Sequence, residues 1–298
     1  MSTSSPPIDR PAPATEAAPE PASGRRTVGR LLRSELGMVF RRRRNQAILV
    51  VLGLIPIVIA IAVKITSRTG RGGGDGGAFF SSITDNGIFV GFSALLVVLP
   101  LFLPMALSVV SGDAVSGEAN LGTLRYLLAL PVGRTRLLAV KYAAIVIWAF
   151  SCALVVAVAG LLIGLVLFPR GDVTLLSGIT VSYPAAVWRL VLVVCYLTVM
   201  MAVIGAIGLF VSTLTEVPVA AMATTLALTI TSQVLDAIPQ LSAIHAWLPS
   251  HYWLRFADFM RDPLAFDQIR TGLLAAAVYI VIFGALAWAR FSNKDVSS

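Results

Sequence analysis

The chain has 298 residues, 57% of them hydrophobic and only 13% charged, whereas soluble domains carry roughly 25% charged residues. That excludes an ordinary soluble enzyme or binding domain and points to a membrane protein. The net charge of +8 reads as a positive-inside bias and attraction to anionic lipid, with no nucleic-acid partner implied.

Residues 1–24 are rich in Pro, Ala, Ser and Glu and nearly free of large apolar residues. Such a tail cannot bury enough surface to offset its ordering entropy, and is expected to be a disordered cytoplasmic segment. It does not read as a signal peptide, because the first apolar run starts only near Ala47. In residues 25–45, Val28, Leu31, Leu32, Leu36, Val39 and Phe40 recur at helical spacing with Arg between them. This pattern predicts an interfacial amphipathic helix on anionic lipid.

A hydrocarbon core of about 30 Å needs roughly 20 apolar residues as helix. Within residues 46–290 six segments meet or approach that length: Ala47–Val63, Ile88–Val110, Ala143–Phe168, Ala185–Val211, Val217–Leu235 and Thr271–Ala289. Their apolar runs are continuous rather than alternating, which excludes a barrel. The expected fold is an all-α integral membrane protein with six spans and a short tail, residues 291–298. Six spans place both termini on one side. With the termini inside, 15 of the 23 Lys and Arg residues lie on the inner side. The termini are therefore expected in the cytoplasm of a plasma-membrane protein.

The run "GRGGGDGG", Gly70–Gly77, lacks the Lys and hydroxyl of a phosphate loop and reads as a flexible outer loop. Pro100 and Pro104 lie four apart in the second span. Each removes a helix hydrogen bond, so a kink is expected there, a hinge or a tolerated membrane proline.

A polar segment, Asp113–Arg134, interrupts the second and third spans. Leu121, Leu124, Leu127 and Leu128 share one helical face, with Asn120 as the expected N-cap and Pro131 as the stop. Ser111-Gly112 and Ser116-Gly117 permit sharp turns. Pattern alone also fits an amphipathic loop helix on the membrane surface.

Further along, Gly160 and Gly164 form GxxxG in the third span, and Ala202, Gly205, Ala206 and Gly208 give the fourth a small-residue stripe. Packing within the chain is preferred to a dimer seam. Thr215 is the expected N-cap of the fifth span, with Pro218 in its first turn. That span carries Thr224, Thr225, Thr229, Thr231, Ser232 and Gln233. Thr225, Thr229 and Ser232 are candidates for a substrate path, although hydroxyls can also bond their own helix. The segment Ile238–Ile269 is aromatic, and Trp247, Tyr252, Trp253 and Phe256 suit an interfacial belt. His245 and His251 are the only histidines. Their spacing fits no common zinc pattern, and no metal site is expected. Cys152 and Cys195 lie in spans and suggest no disulfide. Arg189 is the ionisable residue clearly inside a span, near its outer end, where it can snorkel.

The residues "SGE" at Ser116–Glu118, "GTL" at Gly122–Leu124, Leu127-Leu128, "PVGR" at Pro131–Arg134, Lys141 and "FSNKDV" at Phe291–Val296 together resemble permease subunits of the type-2 ABC exporter family. The resemblance covers the whole chain in layout, and its specific part is the Asp113–Arg134 segment. It departs from the family at Arg125, where an acidic or polar residue is commoner, and at Gly133, where Ser is common. It implies that the segment is a coupling helix docking on a separate cytoplasmic ATPase. Asp113, Ser116, Gly117, Glu118, Gly122, Thr123, Arg125 and Arg134 would be its contact residues, with Glu216 on a second contact loop. It further implies a second permease subunit and short re-entrant helices in the outer segment. ATP and Mg would be held by the partner ATPase, with no catalytic residue in this chain. A membrane-embedded enzyme and a non-transporting scaffold are the other classes; the enzyme would need a cluster of ionisable groups within the spans.

Overall fold

The computed structural model describes residues 24–68, 86–122, 133–169, 171–175, 177–262 and 266–293. The N-terminal tail, the Gly70–Gly77 run, the helix expected after Asn120 and the last five residues lie outside the described residues. The helices are α1 (Gly24–Arg41), α2 (Arg43–Arg68), α3 (Phe89–Val98), α4 (Phe102–Asp113) and α5 (Ser116–Asn120), then α6 (Arg134–Leu167), α7 (Tyr183–Leu214), α8 (Pro218–Asp236), α9 (Ser242–His245) and α10 (Phe266–Ser292). Five of them, α2, α6, α7, α8 and α10, are long and apolar enough to cross a membrane; α3 and α4 make a sixth if that bent pair is one span. One feature lies outside the all-α expectation. Val173–Thr174 pairs antiparallel with Thr180–Val181 between α6 and α7, the chain turning at Gly178 with φ 79°.

The central helix is α7. In its most apolar stretch 78% is buried, against 17% in α2 and in α10, whose outer faces are left to lipid or a partner. Small residues bring the helices together. A Cβ at Gly205 would lie 2.6 Å from an Ile145 methyl, and one at Gly208 would collide with the Ser111 side chain. The Gly160–Gly164 motif packs inside the chain, against α3 and the turn before it. A Cβ at Gly160 would stand 2.6 Å from the Gly91 Cα, and Gly87 and Gly164 meet backbone to backbone. The GxxxG stripe is therefore an internal seam, as expected of close helix approach.

The second span breaks where the prolines predict. The axes of α3 and α4 differ by 57°, with Pro100 in the break and Pro104 in the first turn of α4, where a missing N–H costs nothing. Gln233 of α8 donates to the Pro100 carbonyl at 2.8 Å, satisfying an acceptor that the break frees.

Helix ends depart from the apolar runs. The third span was expected from Ala143, but α6 starts at Arg134, because its first turns pack on α1 rather than sit in lipid. Asn120 closes α5 instead of opening a helix; Gly122, with φ 67°, ends the turn, a left-handed C-terminal position. Val217, not Thr215, is the N-cap of α8, and the Thr215 hydroxyl accepts from the Val217 N–H at 3.1 Å. The basic face of α1 is exposed at Arg30, Arg33 and Arg41. Its apolar residues Val39 and Phe40 pack on the bundle, Phe40 meeting Trp148 edge-on at 5.3 Å.

The outer segment contains 3-10 turns at Pro239–Leu241 and Trp253–Met260 with α9 between them. The aromatic-belt expectation holds in exposure only for Trp247, which is 76% exposed; Tyr252, Trp253 and Phe256 are core residues beneath it. Arg189 does not snorkel freely. It donates to the carbonyls of Phe259 (3.0 Å) and Arg261 (2.7 Å) and pairs with Asp262 at 3.3 Å, fastening the segment to α7.

Candidate functional site

At the end of the bundle formed by α1, α4, α5 and the first turns of α6, charged groups converge on a cavity of about 560 Å³. Lys141, 2% exposed, places its Nζ 2.5 Å from Glu118 Oε1 and 3.0 Å from Glu35 Oε1. One ammonium thus serves two carboxylates from two other helices. A buried ion of either sign is costly unless paired, so this arrangement links α1, α5 and α6. Burial pushes the Glu118 carboxyl above the usual carboxylate range; Lys141 opposes the rise and Glu35 adds to it.

Asp113, at the end of α4, pairs with Arg42 and lies 3.2 Å from Arg44 at the α1–α2 junction. Gly117 faces the same carboxylate. A Cβ there would come within 2.5 Å of Asp113 Oδ1, so the glycine makes room for an internal ion pair. The Ser116 hydroxyl donates to the Gly112 carbonyl at 2.5 Å. From α7, the Ser212 hydroxyl accepts from the N–H groups of Val115 (3.0 Å) and Ser116 (2.9 Å) and donates to the Gly112 carbonyl at 2.8 Å. The start of α5 is thereby bonded to the last turn of α7.

The fold brings most of the sequence-derived coupling residues to one end but turns them inward. Asp113, Ser116, Gly117 and Glu118 meet other parts of this chain, and not open solvent where a partner would dock. Gly122 has no atom of the described residues within 4 Å of where a Cβ would be. It serves the backbone turn rather than a helix's first turn. Arg134 donates to the Ser292 carbonyl at 2.5 Å, and Trp288 of α10 donates to Thr135 at 2.9 Å; the pair ties the start of α6 to the end of α10. Thr123 and Arg125 lie outside the described residues. What faces outward here is Asn120, Leu121 (71% exposed) and, on the α7–α8 loop, Glu216. Sequence reasoning missed Glu35, Arg42 and Ser212. Their signals were weak: one acid in a basic helix, one Arg among four, one Ser in an apolar run.

The three fifth-span hydroxyls singled out for a substrate path, Thr225, Thr229 and Ser232, are buried, whereas Thr224 and Thr231 are exposed. Thr225 and Thr229 donate to carbonyls four residues back, Ala221 and Thr225, at 2.8 Å each. Ser232 bonds Ser250 of the outer segment at 2.7 Å. All three face α4, α7 or the outer segment within this chain.

At the opposite end of the bundle, Asp236 terminates α8 and meets the two histidines. His251 Nδ1 is 2.6 Å and His245 Nδ1 4.0 Å from Asp236 Oδ1. The expectation of no metal site weighed the histidines alone; the fold adds a carboxylate.

No curated protein matches the chain. A family model described as "Protein of unknown function (DUF2705)" matches residues 57–297, and the chain belongs to that family.

Proposed function

We propose that this chain is the permease subunit of an ATP-driven exporter of an amphipathic or hydrophobic substrate, working with a separate cytoplasmic ATPase and a second permease subunit. The observation that carries the reading is the wiring of the Asp113–Gly122 segment. A short helix bearing the family-like residues is bonded at once to α1 through Lys141 and Glu35, to α6 through Lys141, and to α7 through Ser212. It continues α4, which leads to the 57° break at Pro100. A push on the outward side of α5 therefore reaches α1, the spans α6 and α7, and the bend between α3 and α4. ATP-driven closure of the partner would favour one arrangement of the spans over another, as a shift of populations. Among the described residues, the outward ones, Asn120, Leu121 and Glu216, would touch the ATPase. The inward ones would transmit its motion.

ATP and Mg would be held by the partner. The apolar outer faces of α2 and α10 suit lipid and a second subunit. The test is purification of the chain from its own host in mild detergent, with assay of ATPase activity in the same complex. An ATPase that is retained, and is lost with Leu121→Asp, is the expected result. A chain that carries no ATPase even after chemical crosslinking in the membrane overturns the reading.

A further inference from the structure

The geometry points to a binding site for a divalent first-row transition ion, of the zinc type, formed by Asp236, His245 and His251. Among the described residues this is the one group of His and acidic side chains whose ligand atoms all lie within 4.8 Å of one another. Donors around a tetrahedral zinc, each about 2.0–2.2 Å from the metal, stand roughly 3.3 Å apart. The 2.6 Å His251–Asp236 distance must lengthen and the 4.0 Å His245–Asp236 distance must shorten. Each of these two changes is under about 1 Å, and the two histidine nitrogens, within 4.8 Å of each other, must close by up to about 1.5 Å, which rotation of the partly buried rings can supply.

Two further observations favour a cation. The His245 Nε2 lies 3.0 Å from the Ile238 carbonyl oxygen. A carbonyl only accepts, so Nε2 carries the proton, and in the neutral ring Nδ1 holds its lone pair on the side of Asp236. A backbone carbonyl fixing the non-ligating nitrogen is the usual outer-shell partner of a metal-bound histidine. Asp236 is also the last residue of the 19-residue helix α8, where the helix dipole adds negative potential. Metal binding at His251 Nδ1 replaces its hydrogen bond to Asp236 and takes the ring tautomer with the proton on Nε2. Two imidazoles and one carboxylate suit zinc, nickel or copper, and suit magnesium or calcium poorly. The three side chains are only partly buried, which leaves an entry path and room for water in the remaining positions. A bound ion would clamp the outer segment to the end of α8, beside the existing Ser232–Ser250 bond. The inference does not depend on the transport reading.

The chain has two histidines, both in this cluster, so any imidazole signal from a tag-free chain reports on the site. The experiment is equilibrium dialysis of the full, tag-free chain in detergent against Zn2+, with metal analysis. One zinc per chain is expected. Asp236→Asn, His245→Ala and His251→Ala should each weaken binding at least roughly tenfold, the lower bound for losing even an outer-shell partner. Cys195→Ser should bind as wild type. Diethyl pyrocarbonate modification of the wild-type histidines should be slowed by Zn2+ and not by Mg2+, a readout that needs no variant to fold. Absence of zinc from the wild type at micromolar concentration, unchanged binding in the His245→Ala/His251→Ala double variant, or equal protection by both ions would overturn the proposal.

Discussion

Lys141 carries two carboxylates, and its loss should be the most damaging single change at the α1–α5–α6 junction. Lys141→Ala strands Glu35 and Glu118 without their cation, and removing one partner of a buried pair costs about 3–5 kcal/mol. The expected outcome is a large drop in the thermal midpoint in detergent, with Arg136→Ala, exposed five residues earlier, close to wild type. Glu118→Gln keeps a hydrogen-bonding group at the ammonium and should cost far less. It should also change the pH profile. Because burial raises the Glu118 carboxyl, with Lys141 opposing, the folded chain holds that proton more tightly than the unfolded one. The stability from this group is fully present below the ordinary carboxylate value of about 4.3. It is lost as pH rises through the raised folded value. The wild type should therefore lose stability relative to Glu118→Gln across that window, and the difference should be constant above it. A difference independent of pH throughout would show a carboxylate with no such rise. The family-like residues Glu118 and Lys141 were both visible in the sequence. That they pair was not, because the partners are 23 residues apart and Glu35 is 106 residues from Lys141.

The break between α3 and α4 shows how one helix repairs another. Pro100 and Pro104 made the bend legible, since a proline removes a bond and pushes the preceding turn. Nothing local in the sequence says where the freed carbonyl finds a donor. Gln233, 133 residues away, supplies it, which also accounts for the most polar side chain in the fifth span. Gln233→Leu removes the donor to the exposed Pro100 carbonyl and should cost about 1 kcal/mol, the net worth of one hydrogen bond, whereas Thr231→Leu, on the exposed face of the same helix, should be nearly neutral. Thermal unfolding of the two purified variants checks this; equal midpoints would mean that Gln233 is dispensable to the break. The hydroxyls of that span were legible as polarity but not as direction. Thr225 and Thr229 spend theirs on their own backbone and face α4 and α7. If they line a path, they do so only when α8 separates from those helices. Cysteines at Thr225 and Thr229 should thus be inert to water-soluble thiol reagents at rest and, on the proposed function, react only during turnover by the proposed ATPase partner. Reaction at rest would mean that α8 is already open to water. The spans themselves followed from apolar run length, yet their ends did not. Arg134–Tyr142 continue α6 as helix because they pack on α1, and run length registers lipid, not neighbours.

At the scale of the whole molecule, the two ends of the bundle are chemically distinct. One carries the Asp113–Gly122 segment with its ion pairs. The other carries the aromatic segment, Arg189 and the Asp236 cluster. The 19 residues of α8, about 28 Å at 1.5 Å each, separate them by close to one hydrocarbon thickness. The sign of the arrangement rests on Lys and Arg, 15 of 23 falling on the side of the termini if the chain crosses six times; on that bias the Asp113–Gly122 end is expected in the cytoplasm. Two exposed residues, one at each end, make this checkable: Leu121, 71% exposed, and Trp247, 76% exposed. On a background with Cys152 and Cys195 replaced by Ser, Trp247→Cys should react with a membrane-impermeant thiol reagent added to intact cells. Leu121→Cys should react only after the membrane is opened. Neither side chain is buried, so neither substitution disturbs packing, and expression should match the parent. Binding of the proposed ATPase should then shield Leu121→Cys in opened membranes and leave Trp247→Cys untouched. The inverted labelling pattern would reverse the orientation and place the Asp113–Gly122 segment outside, beyond the reach of any cytoplasmic ATPase. Correct labelling without shielding would keep the topology and remove Leu121 from the docking surface.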